Sequence, residues 1–398
     1  MPGASQRTGL PRTVWALGLV SLFMDLSSEI FHGLLPLFLT TTLGTSVALV
    51  GVIDGISEAT ASITKVFSGA ISDRIGRRRP LILLGYGMAA ASKPLFPLAG
   101  SAATVLGARF VDRIGKGLRG APRDALIADA TAPDMRGRAY GLRQALDTVG
   151  AFLGPLAAVV LMAVFADDMR TVFWIATAPA WIAVLLVLFA VRDVPGQAES
   201  ATKRSALRWS DIADLPPGFW RVTAIGVLFT LARFSEAFLV LRAHDRGLPL
   251  AYAPLVLVAM NLVYSLGAYP AGALADRVGP SRLLAAGLAA LIAADALLGF
   301  GQGLWVVFAG IALWGAHMAL TQGVLSQMVA AQAPPERRAS AFGLFNLATG
   351  LAMLGASLVA GVLWDAVGPG ATFVAGGGFA VLTLAVLGWA RFSLSRAN

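Results

Sequence analysis

Long apolar runs alternate with short polar connections along the whole chain. Apolar segments of about 20 residues, the length that crosses a hydrocarbon core of about 30 Å, can be placed twelve times. The predicted spans are residues 14–40, 47–72, 80–99, 101–129, 139–165, 171–191, 219–246, 250–275, 282–300, 303–330, 339–364 and 371–391. The pattern therefore predicts an all-α membrane protein with twelve transmembrane helices.

The connections between these spans alternate in charge. Every second connection is rich in arginine and lysine, whereas the others, such as residues 40–46, are nearly free of both. The basic side chains are Arg74, Arg77, Arg78, Arg79, Arg136, Arg138, Arg192, Lys203, Arg204, Arg208, Arg277, Arg282, Arg337 and Arg338. Because basic loops stay on the cytoplasmic side of a membrane, this alternation places both termini in the cytoplasm.

The two halves of the chain repeat each other. Residues 69–76 read Gly-Ala-Ile-Ser-Asp-Arg-Ile-Gly, and residues 272–279, an offset of 203, read Gly-Ala-Leu-Ala-Asp-Arg-Val-Gly. Since six spans separate the copies, both have the same orientation, as parallel repeats require. The predicted organisation is a cytoplasmic N-terminus (1–13), a six-helix bundle (14–191), a cytoplasmic linker (192–218), a second six-helix bundle (219–391) and a cytoplasmic C-terminus (392–398).

Composition supports a bilayer environment. Hydrophobic residues make up 57% of the chain and charged residues 13%, with a mean hydropathy of +0.73. The net charge of +9 is mostly loop charge, so we expect a lipid bilayer as partner and no nucleic acid. The absence of cysteine excludes a disulfide framework and a thiolate metal site. No nucleophile elbow, Walker loop or zinc-protease motif occurs, so we expect no enzyme activity and no cofactor.

The repeated segment resembles a known family signature. Residues 69–79 fit Gly-x-x-x-Asp-Arg-x-Gly-Arg-Arg-Arg, the pattern between the second and third spans of the major facilitator superfamily, and the second copy is a degraded version. The resemblance covers essentially the whole chain and implies a functional monomer that moves a small molecule. It also implies a cytoplasmic gate formed by Gly69, Asp73, Arg74, Gly76, Gly272, Asp276, Arg277 and Gly279. The remaining arginines, 77–79, are interpreted as topology anchors.

A second resemblance concerns the direction of transport. Gly141, Gly150, Gly154 and Pro155 are similar to the antiporter motif of drug and proton exchangers in this family, although Ala158-Val159 replaces its terminal glycine pair. Glycines at this spacing allow close helix contact, and proline bends a helix. Ordinary small-residue packing is the alternative interpretation. The resemblance favours export.

The fourth span carries a third resemblance. Arg113-x-x-Lys116-Gly117 is similar to the family pattern Arg-x-x-Gln-Gly, whose arginine is associated with proton coupling, with lysine in place of glutamine. The wider stretch 112–124 resembles a subgroup of uncharacterised bacterial permeases. This resemblance implies a place in the bacterial inner membrane.

Ionisable residues within the predicted spans are the candidate site. Each costs about 2.5–3.5 kcal/mol at a helix centre on insertion scales, so each needs a partner, a water-filled cavity or a function. They recur at helical spacings of three and four, and we expect them to face a shared central cavity. The candidates are Asp25, Glu29, His32, Asp54, Glu58, Arg109, Asp112, Arg113, Lys116, Arg143, Asp147, Arg233 and Glu236.

Within this set, the roles follow from burial and charge. Asp25 and Glu29 are the first candidates for proton carriers, with Arg113 as the cation that modulates them. Asp54 and Glu58 come second, unless they simply pair with Lys65. The sequence thus predicts proton-coupled antiport of a small organic compound by alternating access, powered by the proton gradient.

Alternative cargoes remain open at this point. The basic stripe on the fourth span suits an organic anion, whereas the carboxylates of the first two spans suit an organic cation. Asp25, Glu29 and His32 form a conceivable divalent-metal site, although the basic stripe would repel a cation. A non-transporting receptor of the same fold is a further alternative.

Overall fold

The computed structural model describes residues 10–75, 77–132, 135–193, 215–333 and 338–395, and this part of the chain is helical, without strands. Its α-helices are α1 (Arg12–Leu37), α2 (Val47–Ile75), α3 (Arg79–Ser92), α4 (Ala102–Ala130), α5 (Arg136–Val164), α6 (Met169–Ala190), α7 (Pro217–Ala232), α8 (Ala237–Asp245), α9 (Leu255–Val278), α10 (Pro280–Phe300), α11 (Leu304–Gln332), α12 (Arg338–Ala366) and α13 (Pro369–Ser395). The predicted all-α class is confirmed.

Ten helical segments of the described chain are long and apolar enough to cross a membrane. The third and fourth predicted spans fall on α3 and α4, which are not among them. Helix α3 has 14 residues and continues only as a short 3-10 turn. Helix α4 carries the densest set of charges. The cytoplasmic location of both termini remains a prediction. So does the division into two bundles joined by a linker, and residues 194–214 of that linker lie outside the described residues.

The seventh predicted span, 219–246, is wrong as a single helix. It is two helices, α7 and α8, separated by residues 233–236. The interruption is stabilised by side chains, because the Ser357 hydroxyl accepts from Ser235 N at 3.3 Å and the Ser235 hydroxyl accepts from Ala237 N at 3.2 Å. Irregular backbone at membrane depth requires such burial in protein or a water-filled cavity.

Helix packing follows one pattern in the two halves, defined here as α1–α6 and α7–α13. In the first half, α1 packs against α5 and α6, and α2 packs against α4. In the second half, α7 packs against α12 and α13, and α9 packs against α11. The sequence repeat thus has a counterpart in the packing of the helices.

The halves meet along one seam between α2 and α12 and another between α5 and α9, and α1 also contacts α8. Small residues bring the α2–α12 seam close together: a Cβ placed at Gly51 would lie 2.2 Å from the Ser357 carbonyl oxygen, and one at Gly361 would lie 2.6 Å from the Ala48 Cα. The same seam continues to Gly343, which faces Val66. Backbone contact of this kind is what glycine permits between membrane helices.

One end of the α2–α12 seam is joined by a carboxylate. Asp365, at the C-terminal end of α12, accepts from the backbone N–H groups of Val47 at 3.1 Å and Ala48 at 2.7 Å. These N–H groups open α2 and have no partner within their own helix. The second half therefore caps a helix of the first half.

Candidate functional site

A buried ion pair links α2 to α4 and to the interrupted span. Arg109 donates to Asp54 at 2.7 Å, and both residues are buried. The other oxygen of Asp54 accepts from the Ser235 hydroxyl at 2.7 Å. Since Ser235 lies between α7 and α8, one carboxylate holds a cation in its own half and a hydroxyl in the other half.

A second group of charges follows the inner face of α4. Arg113 lies 3.3 Å from Glu58 and 3.7 Å from Asp112, and Asp112 lies 3.4 Å from Lys93. Lys93 is 2% exposed and also donates to the Ser28 hydroxyl at 3.1 Å. The Glu58 side chain, in contrast, is 47% exposed. The group therefore runs from a buried interior to an exposed face, where Lys116 is also exposed.

The predicted proton carriers lie where α1 meets α5. Asp25 is within hydrogen-bonding reach of Asp147, and Arg143 donates to both oxygens of Asp147 at 3.1 Å. Glu29 lies apart from this carboxyl pair, with its Oε2 3.5 Å from the His32 Nδ1. The two first-choice residues thus have different partners.

Close helix contact creates this arrangement. A Cβ placed at Gly150 would lie 2.4 Å from the Leu22 carbonyl oxygen, and one at Gly154 would lie 2.6 Å from the Glu29 Cβ. Gly141, in contrast, has no described atom within 4 Å of its Cβ position. Two glycines of the antiporter-like motif therefore bring α5 against α1, and the third, Gly141, makes no such contact with the described residues.

The interruption between α7 and α8 contributes its own polar cluster. Arg233 lies 3.4 Å from Glu236, and with the Gln322 amide oriented so that its oxygen faces the guanidinium, Arg233 donates to that oxygen at 3.1 and 3.3 Å. The Tyr264 hydroxyl lies 3.3 Å from the same amide. The cluster joins the interrupted span to α9 and α11.

A cleft of about 390 Å³ separates α5 from α9. This volume is within the range of small-molecule sites. Its walls alternate polar and apolar side chains, namely Gln144, Asp147, Thr148, Ala151, Phe152, Asn261, Leu262, Tyr264 and Ser265. The cleft therefore has Asp147, one member of the carboxyl pair, in its wall.

The structure brings most of the sequence candidates together and changes some pairings. Asp54 and Glu58 do not pair with Lys65, as one interpretation held; their partners are Arg109 and Arg113. In the described part of the chain, no three histidine or carboxylate side chains converge as a metal site would require. Asp25, Glu29 and His32 therefore do not form one.

Sequence reasoning missed Lys93, Ser235 and Gln322. Lys93 had a signal, because a lysine inside a predicted span needs a partner. A serine or glutamine in a span carries no comparable signal.

The repeated gate motif is described only in part. Gly76 lies outside the described residues. Gly69, Asp73, Arg74, Gly272 and Asp276 are described only as helical backbone. Arg277 is exposed at the end of α9, and Gly279 has a φ of +87° just before α10 begins. That left-handed conformation favours glycine.

The arginines after the first copy of the motif have specific partners. Arg78 donates from its guanidinium to Ser72 at 2.7 Å and to Asp129 at 3.5 Å. Asp193 accepts from the backbone N–H groups of Arg78 at 3.1 Å and Arg79 at 2.8 Å. Arg78 thus has side-chain partners of its own, and the interpretation of residues 77–79 as topology anchors stays a prediction.

Helices of membrane-spanning length, a repeated packing pattern and a charged face open to water define a membrane transporter with two related halves. The sequence matches the family model described as the Major Facilitator Superfamily over residues 17–260 and 222–398. The chain belongs to this superfamily, whose members are transporters and not enzymes.

Relatives and solved structures agree with this assignment. The chain is 30% identical over 385 residues to an uncharacterised MFS-type transporter, MJ1317, of Methanocaldococcus jannaschii, covering 94% of each chain. It is 28% identical over 179 residues to the multidrug resistance protein MdtH of Edwardsiella ictaluri, covering 44% of each. A crystal structure of the nucleoside transporter NupG has a TM-score of 0.81 at 14% identity, covering 94% of this chain and 98% of NupG. That likeness shows the fold.

Proposed function

We propose that the protein is a proton-coupled antiporter that exports a small organic compound. The observation that carries this proposal is the approach of Asp25 to Asp147 across the contact between α1 and α5. Two carboxylates this close repel each other when both are ionised, and one shared proton removes the repulsion. The pair is therefore suited to bind and release a proton.

Neighbouring groups can couple that proton to substrate. Arg143 neutralises Asp147 through two hydrogen bonds, and Asp147 also lines the cleft between α5 and α9. A compound that binds in the cleft changes the surroundings of the same carboxylate that shares the proton. Competition between cargo and proton for one site is a direct way to link their movements.

The ion pair between Asp54 and Arg109 has a different role in this proposal. Through Ser235, Asp54 fixes the interrupted span of the second half to α2 of the first. Alternating access requires the two halves to change their relative position. We assign Asp54 to this mechanical link and leave Glu58 with Arg113 as a second carboxylate in contact with water.

The direction of transport and the cargo class rest on additional support. The partial similarity to MdtH, a multidrug resistance protein, favours export. The mixed polar and apolar walls of the cleft suit an organic compound better than a bare ion. The proposal includes a monomer in a bacterial inner membrane, without a nucleic-acid partner and driven by the proton gradient.

Transport into proteoliposomes under an imposed pH gradient tests the proposal. With ethidium as probe, we expect accumulation by the wild type only when the gradient is present. Asp25→Asn and Asp147→Asn should each abolish gradient-driven accumulation, because neither variant retains the carboxyl pair. Asp168→Asn is the matched control, since Asp168 lies outside the cavity and its replacement should leave accumulation unchanged.

The same assay has outcomes that contradict the proposal. Accumulation that ignores the gradient in the wild type would exclude proton coupling. If Asp25→Asn and Asp147→Asn both still accumulate ethidium to the wild-type level in response to the gradient, Asp25 and Asp147 are excluded as the proton site. If ethidium is not moved, a thermal-shift panel of tetraphenylphosphonium, benzoate and uridine identifies the replacement probe for the same gradient test.

A further inference from the structure

Asp295 is a buried carboxyl group in the second half that the sequence candidates did not include. It lies in α10, is 1% exposed, and neither of its carboxyl oxygens has a hydrogen-bond partner among the described residues. The buried carboxylates Asp54 and Asp112 of the first half, in contrast, lie within ion-pair distance of Arg109 and Lys93. Asp295 therefore needs a separate explanation.

The surroundings of Asp295 are apolar and uncharged. Helix α13, which packs on α10, has no ionisable residue from Pro369 to Ala390. On α8, Arg242 donates to the Leu298 and Gly299 carbonyls and to Asp245. Among the other charged or titratable groups of neighbouring elements, Arg233 pairs with Glu236, and His317 of α11 contacts the Gly287 carbonyl through Nδ1, while its buried Nε2 has no partner among the described residues.

Burial without a partner determines the charge state of this group. An ionised carboxylate in such a place costs several kcal/mol of desolvation that nothing repays. Protonation removes that cost and turns the group into an O–H donor. The resting form of Asp295 is therefore a neutral acid whose O–H can donate to an acceptor.

A backbone carbonyl oxygen at the end of α7 borders the same space as Asp295. A Cβ placed at Gly376 of α13 would lie 3.0 Å from the Asp295 Oδ2, 3.2 Å from the Ala232 carbonyl oxygen and 2.9 Å from the Phe234 ring. The acid and the carbonyl thus border the same small space, which exists because residue 376 has no side chain. Ala232 is in the last turn of α7, where carbonyls have no intrahelical partner.

We propose that Asp295 is a second proton-binding site, whose proton bonds the Ala232 carbonyl at the interruption between α7 and α8. Movement of the interrupted span changes the position of the acceptor and so changes how firmly the proton is held. The site belongs to the second half and is independent of the carboxyl pair formed by Asp25 and Asp147.

Infrared spectroscopy of the full-length protein in lipid bilayers tests this site directly. In the wild type we expect a carboxylic-acid C=O band that is lost in Asp295→Asn and declines reversibly as the pH is raised. Gly376→Ala places a methyl group between the acid and the carbonyl, so the band should shift to higher frequency as its hydrogen bond weakens. Gly378→Ala is the matched control, because its Cβ meets no described atom within 4 Å.

Several results would overturn the inference. These are a spectrum unchanged in Asp295→Asn, a band that stays constant across the pH titration, and equal spectra for Gly376→Ala and wild type. Suppression of the band by sodium chloride but not potassium chloride at fixed pH would show a sodium site instead. Because the readout is a bond vibration and not transport, its failure is distinguishable from failure of the proposed coupling at Asp25 and Asp147.

Discussion

Several charged side chains of the cavity have partners on other helices. Asp54 of α2 pairs with Arg109 of α4, and Asp112 of α4 pairs with Lys93 beyond the end of α3. A buried pair gains little net stability, because the attraction roughly offsets the desolvation of both ions. Its main effect is to fix which helix faces lie together, since a wrong register would leave a charge alone in an apolar interior.

Arg109→Met should destabilise the protein by about 3–5 kcal/mol, because it leaves Asp54 buried and without its cation. The double variant Asp54→Asn with Arg109→Met should recover a large part of that loss. Thermal unfolding in detergent measures both, with Arg138→Met, at an exposed position, as the control. A double variant no more stable than the single one would show that packing, and not charge, explains the loss.

At the scale of elements, glycine positions set how closely helices approach. The contact between α1 and α5 depends on Gly150 and Gly154, which face Leu22 and Glu29. Helix ends matter in the same way, because the first N–H groups of a helix need acceptors. Asp168 supplies them at the start of α6, accepting from Arg170 N at 3.0 Å and from the Thr171 hydroxyl at 2.6 Å.

Gly150→Ala and Gly154→Ala should each lower thermal stability and gradient-driven transport, because a methyl group collides with α1. Gly141→Ala should be tolerated and provides the matched control within the same motif. The expected order in both assays is Gly141→Ala near wild type, with the other two well below it. Equal effects at all three positions would mean that the motif acts through helix flexibility and not through close contact.

Asp168→Ala should cost about 0.5–2 kcal/mol at neutral pH, the usual value of an N-cap. The Thr171 hydroxyl, aided by backbone N–H donors, holds the pKa of Asp168 below its ordinary value. The ionised cap is thus fully effective above the ordinary aspartate pKa and is lost as the pH falls through the lowered one. Melting temperatures measured from neutral to acid pH should show the cost of Asp168→Ala shrinking in that window.

Asp168→Asn separates the charge of the cap from its geometry. Asparagine also caps helices, so this variant should stay close to wild type at neutral pH and should not lose its cap on acidification. A constant cost of Asp168→Ala at every pH would contradict the assignment of the cap to the ionised carboxylate.

At the scale of the whole molecule, the two seams differ. The α2–α12 seam is closed by contacts at glycines, from Gly361 against the Ala48 backbone to Gly343 against the Val66 side chain, whereas the α5–α9 seam contains the 390 Å³ cleft. Motion between the halves therefore has to separate close contacts on one side while the other side already has space. The interrupted span lies between these seams and is tied to α2 through Ser235 and Asp54.

A disulfide across the α2–α12 seam should stop transport. A Cβ placed at Gly343 lies 3.6 Å from a γ carbon of Val66, so Val66→Cys with Gly343→Cys is close to disulfide geometry. The natural chain has no cysteine, so any cross-link is the engineered one. We expect oxidation to abolish ethidium transport and reduction to restore it, with each single cysteine variant unaffected by oxidation. Normal transport by the cross-linked protein would mean that the seam does not open.

Local pattern predicted most of the helices and named many of the charged side chains that form ion pairs in the structure. The predicted span 101–129 is α4 at Ala102–Ala130, because a long helix with capped ends is encoded by its own residues. The break between α7 and α8 was not predictable in this way, since Ser235 is held by Ser357, 122 residues away. Asp295 was missed for a related reason: its role depends on a glycine in α13 and a carbonyl in α7.

The carboxylate of Asp365 caps the start of α2 only while the two halves are in contact at this end. When the halves separate at this end, Val47 and Ala48 lose the oxygen atoms that accept their N–H groups, and only the Ser46 hydroxyl, which accepts from Leu49 N at 3.3 Å, still caps α2. Water can replace those bonds because Asp365 is exposed, so the cost is about that of one N-cap, roughly 0.5–2 kcal/mol. The closed arrangement is thus favoured by an amount that thermal motion and a bound cargo can overcome, which makes opening reversible.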